Sequence, residues 1–128
     1  MPRKKSPTFT EVELEFMQII WSMGEVTTVD MQNALREKGR NLSDGSIRKI
    51  LSILMEKGHL ERERNGRSFI YRAIVQKDQA HKRILQDILN RVFGGSISMM
   101  ATALFDIRYI AKDDIEKIRK LIDDHKSE

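Results

Sequence analysis

A mainly α-helical fold is predicted by three observations: helical apolar periodicities before a short hairpin, the hairpin itself, and helical periodicities after it. The clearest helix covers residues 43–57, in which apolar residues recur every three or four positions. Ser43 is suited to cap its N-terminus, and Gly58 is suited to end it. Residues 60–73 then continue as two strands around Asn65-Gly66, a pair that favours a type I′ turn. A helix followed directly by such a hairpin predicts a winged helix-turn-helix.

Two earlier helices complete the predicted winged helix-turn-helix. Each begins with a capping box, the first at Thr10 and the second at Thr27. The residues expected to face inward are Val12, Phe16, Ile19, Ile20 and Met23 in the first helix and Val29, Met31, Ala34 and Leu35 in the second. We assign residues 10–75 to this domain and residues 1–9 to a flexible basic arm.

The polar side of the 43–57 helix is predicted to contact DNA. A lysine there can bond guanine O6 or N7, and serines are adaptable partners of base edges. Arg48 is expected to reach a base edge or a phosphate at the lip of the groove. A merely solvated polar face is the alternative interpretation of such a helix. The candidate contacts on this helix are Ser46, Arg48, Lys49 and Ser52.

The hairpin favours the DNA interpretation. Pairing across Asn65-Gly66 is expected to place three arginines on one face, together with Phe69 and Tyr71. Such a basic face is what a wing needs to follow the phosphate backbone. The three arginines are Arg62, Arg64 and Arg67.

The distribution of charge agrees with a polyanionic partner. The chain has a formal net charge of +4, and residues 40–72 alone contain eight basic and four acidic residues. The whole excess of positive charge is therefore found in the predicted helix and wing. A local basic patch on an otherwise nearly neutral chain is typical of a protein that binds nucleic acid.

The remaining residues, 76–128, are predicted to form a helical dimerisation domain. Three short helices with apolar stripes cannot easily bury those stripes within one chain, so we expect two copies to intertwine. The alternative is that these helices pack back on the winged helix as one globule. The predicted dimerisation residues are Ile84, Leu85, Ile88, Leu89, Val92, Phe93, Ile115, Ile118, Leu121 and Ile122.

An ordered set of short motifs resembles the penicillinase repressor family. These are Glu13 to Trp21, Ser46-Ile47-Arg48, Lys57-Gly58, Gly66-Arg67 with Tyr71, and Phe93 to Ser96. The likeness runs from about Thr10 to Asp123. It implies a dimeric winged-helix transcriptional repressor on a palindromic operator. It also implies release through a membrane sensor-protease, in a pathway that leads to cleavage of the C-terminal domain.

Several positions depart from that family's pattern. The Asn-Phe pair that is cleaved in staphylococcal members corresponds here to Ala103-Leu104. Both residues of the cleaved pair therefore differ in this chain. An arginine of the recognition helix corresponds to Ile53, which we expect to pack on a thymine methyl group. The C-terminal cysteine pairs of copper-sensing relatives are missing, because the chain contains no cysteine.

The sequence gives no support for catalysis, a metal or a cofactor. Its three histidines are scattered and form none of the common catalytic or phosphate-binding motifs. We expect a cytoplasmic protein that does not insert into a membrane, since no apolar run is long enough. Two other functions remain open. One is a ligand-responsive regulator with an effector pocket along Ile97 to Ile107, and the other is a winged helix that binds only proteins.

Overall fold

A computed structural model describes residues 9–126 of the chain. The helices and strands are, in order, α1 (Glu11–Met23), β1 (Glu25–Val26), α2 (Thr28–Glu37), α3 (Asp44–Glu56), β2 (Leu60–Asn65), β3 (Ser68–Ala73), α4 (Lys77–Phe93), α5 (Ile97–Ile107) and α6 (Lys112–Lys126). This is the mainly α fold with a winged helix-turn-helix that the sequence predicts. The predicted basic arm, apart from Phe9, lies outside the described residues.

The N-terminal caps of the first three helices are those expected from the sequence. The Thr10 hydroxyl accepts a hydrogen bond from the Glu13 backbone N–H at 3.1 Å, and the Glu13 carboxylate accepts one from the Thr10 N–H. Thr27 and Asp30 form the same reciprocal pair at the start of α2. The Ser43 hydroxyl accepts from the N–H of Ser46, which is in the first turn of α3. Each cap satisfies backbone donors that the first turn of a helix leaves unpaired.

One hydrophobic core unites α1, α2, α3 and the sheet. The apolar stripe of α3 is fully buried in this core. Two residues expected to face inward, Met23 and Val29, are instead exposed, and Met17 is fully buried. The difference arises because both exposed residues lie at the end of their helix, where the core no longer covers the helix surface. The buried side chains of the three helices are Phe16, Met17, Ile19, Ile20, Met31, Leu35, Ile47, Leu51 and Leu54.

The sheet differs from the predicted two-stranded wing in two respects. First, the short strand β1 adds to its edge, giving the antiparallel order β1-β3-β2. Second, Asn65 pairs with Ser68, so the two loop residues are Gly66 and Arg67 rather than Asn65 and Gly66. A type I′ turn needs a positive φ at both loop positions, but within the described residues only glycines have one. Gly66 has φ +66°, as the first loop residue of a type II′ turn does.

A nearly buried ion pair joins the start of α1 to the end of α3. The Lys57 Nζ lies 2.6 Å from the same Glu13 oxygen that accepts the Thr10 N–H. The side chains of Lys57 and Glu13 are only 13% and 8% exposed. One carboxylate therefore caps α1 and holds the C-terminal end of α3.

The chain divides into two compact units, with the boundary after Asp87. This boundary lies inside α4, whereas the sequence analysis predicts a domain boundary between residues 75 and 76. The physical reason is that the first turn of α4 packs on the winged helix, where Ala80 is buried in the core. In the second unit, none of the described residues 88–126 is buried.

No individual helix within residues 9–126 is long and apolar enough to cross a membrane. The consecutive helices α4 and α5 together have the length and apolar composition of a membrane span, but a bend of 96° separates them.

Glu13→Ala tests the shared carboxylate. We expect the free energy of unfolding to fall by about 2 kcal/mol, because one capping box is lost and the Lys57 ammonium is left nearly buried without its partner. Urea denaturation followed by circular dichroism measures this change. Glu11→Ala, which removes an exposed carboxylate from the same turn, is the control and should change stability by less than about 0.5 kcal/mol. Equal losses in the two variants would contradict this role of Glu13.

Candidate nucleic-acid interface

The outer face of α3 presents the polar residues that the sequence singles out. Ser46, Lys49 and Ser52 are exposed, and Ile53 is half-buried beside them. The opposite side of α3 is held in the core, so this face cannot turn inward. Lys49 forms no ion pair within residues 9–126, and its ammonium is available for an external acceptor.

Two residues of this face have local partners. The Arg48 Nε lies 2.8 Å from an Asp44 carboxylate oxygen, one turn earlier, and both side chains are more than half exposed. Exposed pairs of this kind contribute little free energy, so Arg48 can exchange Asp44 for a phosphate at small cost. The Ser43 hydroxyl donates to the Ser46 hydroxyl at 3.0 Å. That bond leaves the Ser46 hydroxyl proton free to be donated outward.

One face of the wing, which we call the front face, is basic. The register pairs Arg62 with Tyr71 and Arg64 with Phe69, so these four side chains share one side of the hairpin. The guanidinium carbons of Arg62 and Arg64 lie 4.0 and 5.7 Å from the centre of the Phe69 ring. Stacking on an aromatic ring orients a guanidinium without using its hydrogen-bond donors. The Arg64 Nε also donates to the Gly66 carbonyl at 3.3 Å, and the other guanidinium donors of both arginines remain for phosphate oxygens.

The other face of the wing, the back face, contains the acidic residues. The Arg72 Nη2 lies 2.9 Å from a Glu63 oxygen and 3.1 Å from a Glu25 oxygen. The Glu61 carboxylate is 3.9 Å from the Arg72 Nη1. The hydrogen bonds that Arg72 donates to Glu63 and then to Glu25 raise the pKa of Arg72 above its ordinary value. Because arginine is already fully charged at neutral pH, this shift adds no pH dependence there.

The hairpin thus separates charges that are mixed in the sequence. Alternate residues of a strand point to opposite faces, so Glu61 and Glu63 lie on the back face while Arg62 and Arg64 lie on the front face. Arg72, which counts as part of the basic patch in the sequence, is neutralised by glutamates. Arg67 is exposed in the turn at the tip, rather than on the front face as expected.

Across residues 9–126, no group of three or more histidine, aspartate or glutamate side chains is placed to hold a metal ion.

An amphipathic third helix with an exposed polar face, followed by a wing with a basic front, defines a winged-helix protein of the DNA-binding class. The sequence matches the penicillinase repressor family over residues 9–124. The chain belongs to this family.

Individual relatives agree with that assignment. The penicillinase repressor of Bacillus licheniformis is 25% identical over 97% of this chain and 96% of its own length. A 16.5 kDa protein of Latilactobacillus sakei, from the ptsI 3′ region, is 31% identical over 88% of this chain and 77% of its own length. The solution structure of the DNA-binding domain of the repressor BlaI superposes with a TM-score of 0.52 at 30% identity, covering 60% of this chain and 93% of that domain. The chain is a transcriptional repressor and not an enzyme.

Arg72→Met and Arg62→Met form a matched pair, since each removes one positive charge from the wing. We expect Arg62→Met to weaken binding to any duplex by about tenfold, because a front-face phosphate contact is lost. Arg72→Met should change affinity less than about threefold, since Arg72 is occupied by glutamates on the back face. Fluorescence anisotropy with a labelled duplex measures both. If Arg72→Met lowers the affinity for duplex as much as Arg62→Met does, the front and back faces of the wing do not differ in DNA contact.

Proposed function

We propose that the protein represses transcription as a homodimer on a palindromic operator, with α3 in the major groove and the wing on the adjacent phosphates. The observation that carries this proposal is the placement of cationic and hydroxyl groups on one exposed helix face and of two arginines, stacked on Phe69, on the front face of the wing. Residues 10–75 supply the DNA contacts, and residues 76–128 supply the dimer.

The two surfaces have different tasks. Lys49, Ser46 and Ser52 project from a rigid helix whose opposite side is packed, which suits them to base edges. Ile53 sits at the margin of that face and supplies an apolar contact for a thymine methyl group. Arg62, Arg64 and Arg67 belong to a narrow hairpin, which suits backbone contacts that position the helix. Arg48, near the start of α3, binds a base edge or the phosphate at the lip of the groove.

Lys49→Ala and Arg64→Ala distinguish these tasks. We expect Lys49→Ala to lower the affinity for the operator about tenfold and the affinity for random duplex only slightly. The reason is that a base contact discriminates between sequences. Arg64→Ala should weaken both duplexes by the same factor, because phosphate is present in every sequence. Competition titrations at one fixed salt concentration give the ratio of the two affinities. If both variants lower the ratio equally, the division between base and phosphate contacts is wrong.

The second unit provides the argument for a dimer. Ten large hydrophobic residues between Ile88 and Lys126 are exposed. Between α5 and α6 lies a groove of about 530 Å³ whose lining is mainly apolar, including Phe105, Ile115 and Ile122. Contiguous exposed apolar surface marks an interaction site. We assign a second copy to it, because an operator with two-fold symmetry requires a symmetric pair of winged helices.

None of the residues that we assign to the interface is buried within one chain. Leu85, Val92, Ile115, Leu121 and Ile122 are exposed, and Ile84, Ile88, Leu89, Phe93 and Ile118 are half-buried.

Leu121→Glu tests the dimer. Each copy contributes one leucine, and burying a leucine side chain is worth about 1.5–3 kcal/mol, so the dissociation constant of the dimer should rise at least about 100-fold. Analytical ultracentrifugation of the full chain measures this change. Lys120→Glu introduces the same side chain at the neighbouring exposed position of α6 and should leave the dimer largely intact. A wild-type chain that is monomeric at ~100 μM would refute the dimer.

Release of repression is the remaining part of the proposal. We assign it to a membrane sensor-protease pathway that acts in the cytoplasm and ends in cleavage of the C-terminal unit. The Ala103-Leu104 bond lies within α5, and the Leu104 side chain is 55% exposed. A cut there would separate α6 from the rest of the interface. Mass spectrometry of the chain recovered from induced cells tests this bond, and an intact chain in derepressed cells would exclude cleavage.

A further inference from the structure

A cleft outside the DNA-binding surface lies in the first unit, between the ends of α1 and α2 and the start of α4. Its volume is about 550 Å³, and its lining residues are Gln18, Trp21, Ser22, Lys38, Lys77 and His81. This volume falls within the range of small-molecule sites in proteins. Neither α3 nor the wing contributes a lining residue, so the site is separate from the proposed DNA contacts.

The lining has the chemistry of a site for an anion. Lys38 caps the C-terminal end of α2, and Lys77 is the first residue of α4. His81 lies one turn after Lys77, on the same side of α4. No carboxylate is among the lining residues, and neither lysine forms an ion pair within the part of the chain that the structure describes. Gln18 and Ser22 add two neutral hydrogen-bonding groups.

The carboxylate of Glu25, near the cleft, is already neutralised. Glu25 lines an adjoining cleft that shares Trp21 and Lys77 with this one. Its carboxylate is bound to Arg72 at 3.1 Å. The positive charge of Lys38 and Lys77 is therefore not balanced by a neighbour that lines the cleft.

An aromatic ring is held rigidly at the wall of the cleft. The Trp21 indole N–H donates to the Val75 carbonyl at 3.0 Å, which fixes the ring. The His81 ring lies edge-to-face with it, with the ring centres 6.0 Å apart, and Phe9 packs edge-to-face at 6.5 Å. A flat apolar group can pack on a ring that is already ordered at little entropic cost.

We propose that this cleft binds a small organic anion, with a phosphate or carboxylate group between Lys38 and Lys77 and a flat ring against Trp21. The two lysines provide charge-assisted hydrogen bonds, and the fixed indole selects ligands that carry a ring. The site is independent of the proposed operator binding, because it uses no residue of the DNA-binding face.

Trp21 is the only tryptophan in the sequence, so its fluorescence reports directly on this cleft. We would titrate the full chain at constant ionic strength with phenyl phosphate and with benzoate. Benzyl alcohol, which has the same ring but no charge, is the control ligand. We expect a saturable fluorescence change with at least one of the two anions and none with benzyl alcohol. The absence of a saturable change with both anions, each tested up to ~10 mM, would overturn the proposal.

Variants locate the binding. Lys38→Met with Lys77→Met should weaken anion binding at least about tenfold, because two charge-assisted bonds are lost. Lys82→Met, which removes one exposed lysine of α4 outside the lining, is the control and should bind as the wild type does. Equal affinities in the double variant and the control would refute the assignment. Thermal melts of both variants verify that the fold is retained.

DNA binding by the same variants separates a small ligand from a DNA phosphate. We expect the double variant to bind duplex within about threefold of Lys82→Met, since the cleft lies outside the DNA-binding face. If duplex quenches Trp21 and the double variant loses DNA affinity, the cleft is a DNA contact and the small-anion proposal fails. If wild-type protein binds no duplex but still binds the anion, the operator proposal fails and this one stands.

Discussion

Burial of the apolar stripe of α3 is the constraint on which the rest of the winged helix depends. Ile47, Leu51 and Leu54 have no exposure at all, so α3 has one orientation in which its polar residues face solvent. The Glu13–Lys57 ion pair holds the C-terminal end of the helix against α1. Directly after it, the backbone of residue 59 accepts the Ile74 N–H, which ties the base of the wing to the same core. The polar face and the wing are therefore positioned by one packing arrangement.

The wing shows how strand alternation turns a mixed sequence into a directional surface. Arginines and glutamates alternate along β2, and the pleat sends them to opposite sides. On the back face, Arg72 binds the glutamates and shields their charge. On the front face, Phe69 orients two arginines without occupying their donors. A count of net charge along the segment misses this separation, because it depends on register rather than composition.

Local signals predicted much of this fold, and non-local contacts account for most of the differences. The caps at Thr10, Thr27 and Ser43 depend on residues three positions apart, so the sequence contains them completely. Strand β1 has two residues and exists only because β3 pairs with it, so no periodicity could reveal it. The turn was misplaced because a glycine with positive φ fits either turn type, and the register of β2 on β3 decides between them. The ion pairs of Arg72 and the cleft that contains Lys38 and Lys77 both bring together residues that are distant in sequence. Composition cannot predict such contacts.

The most direct test of the account is selection from a pool of random duplexes at moderate salt, followed by sequencing of the retained fraction. A dimer that reads bases through α3 predicts an enriched palindrome whose half-sites are separated by about one helical turn. The enriched motif should lose its information content in the Lys49→Ala variant, while Arg72→Met should recover the same motif. A retained pool without any enriched sequence would contradict specific recognition by α3.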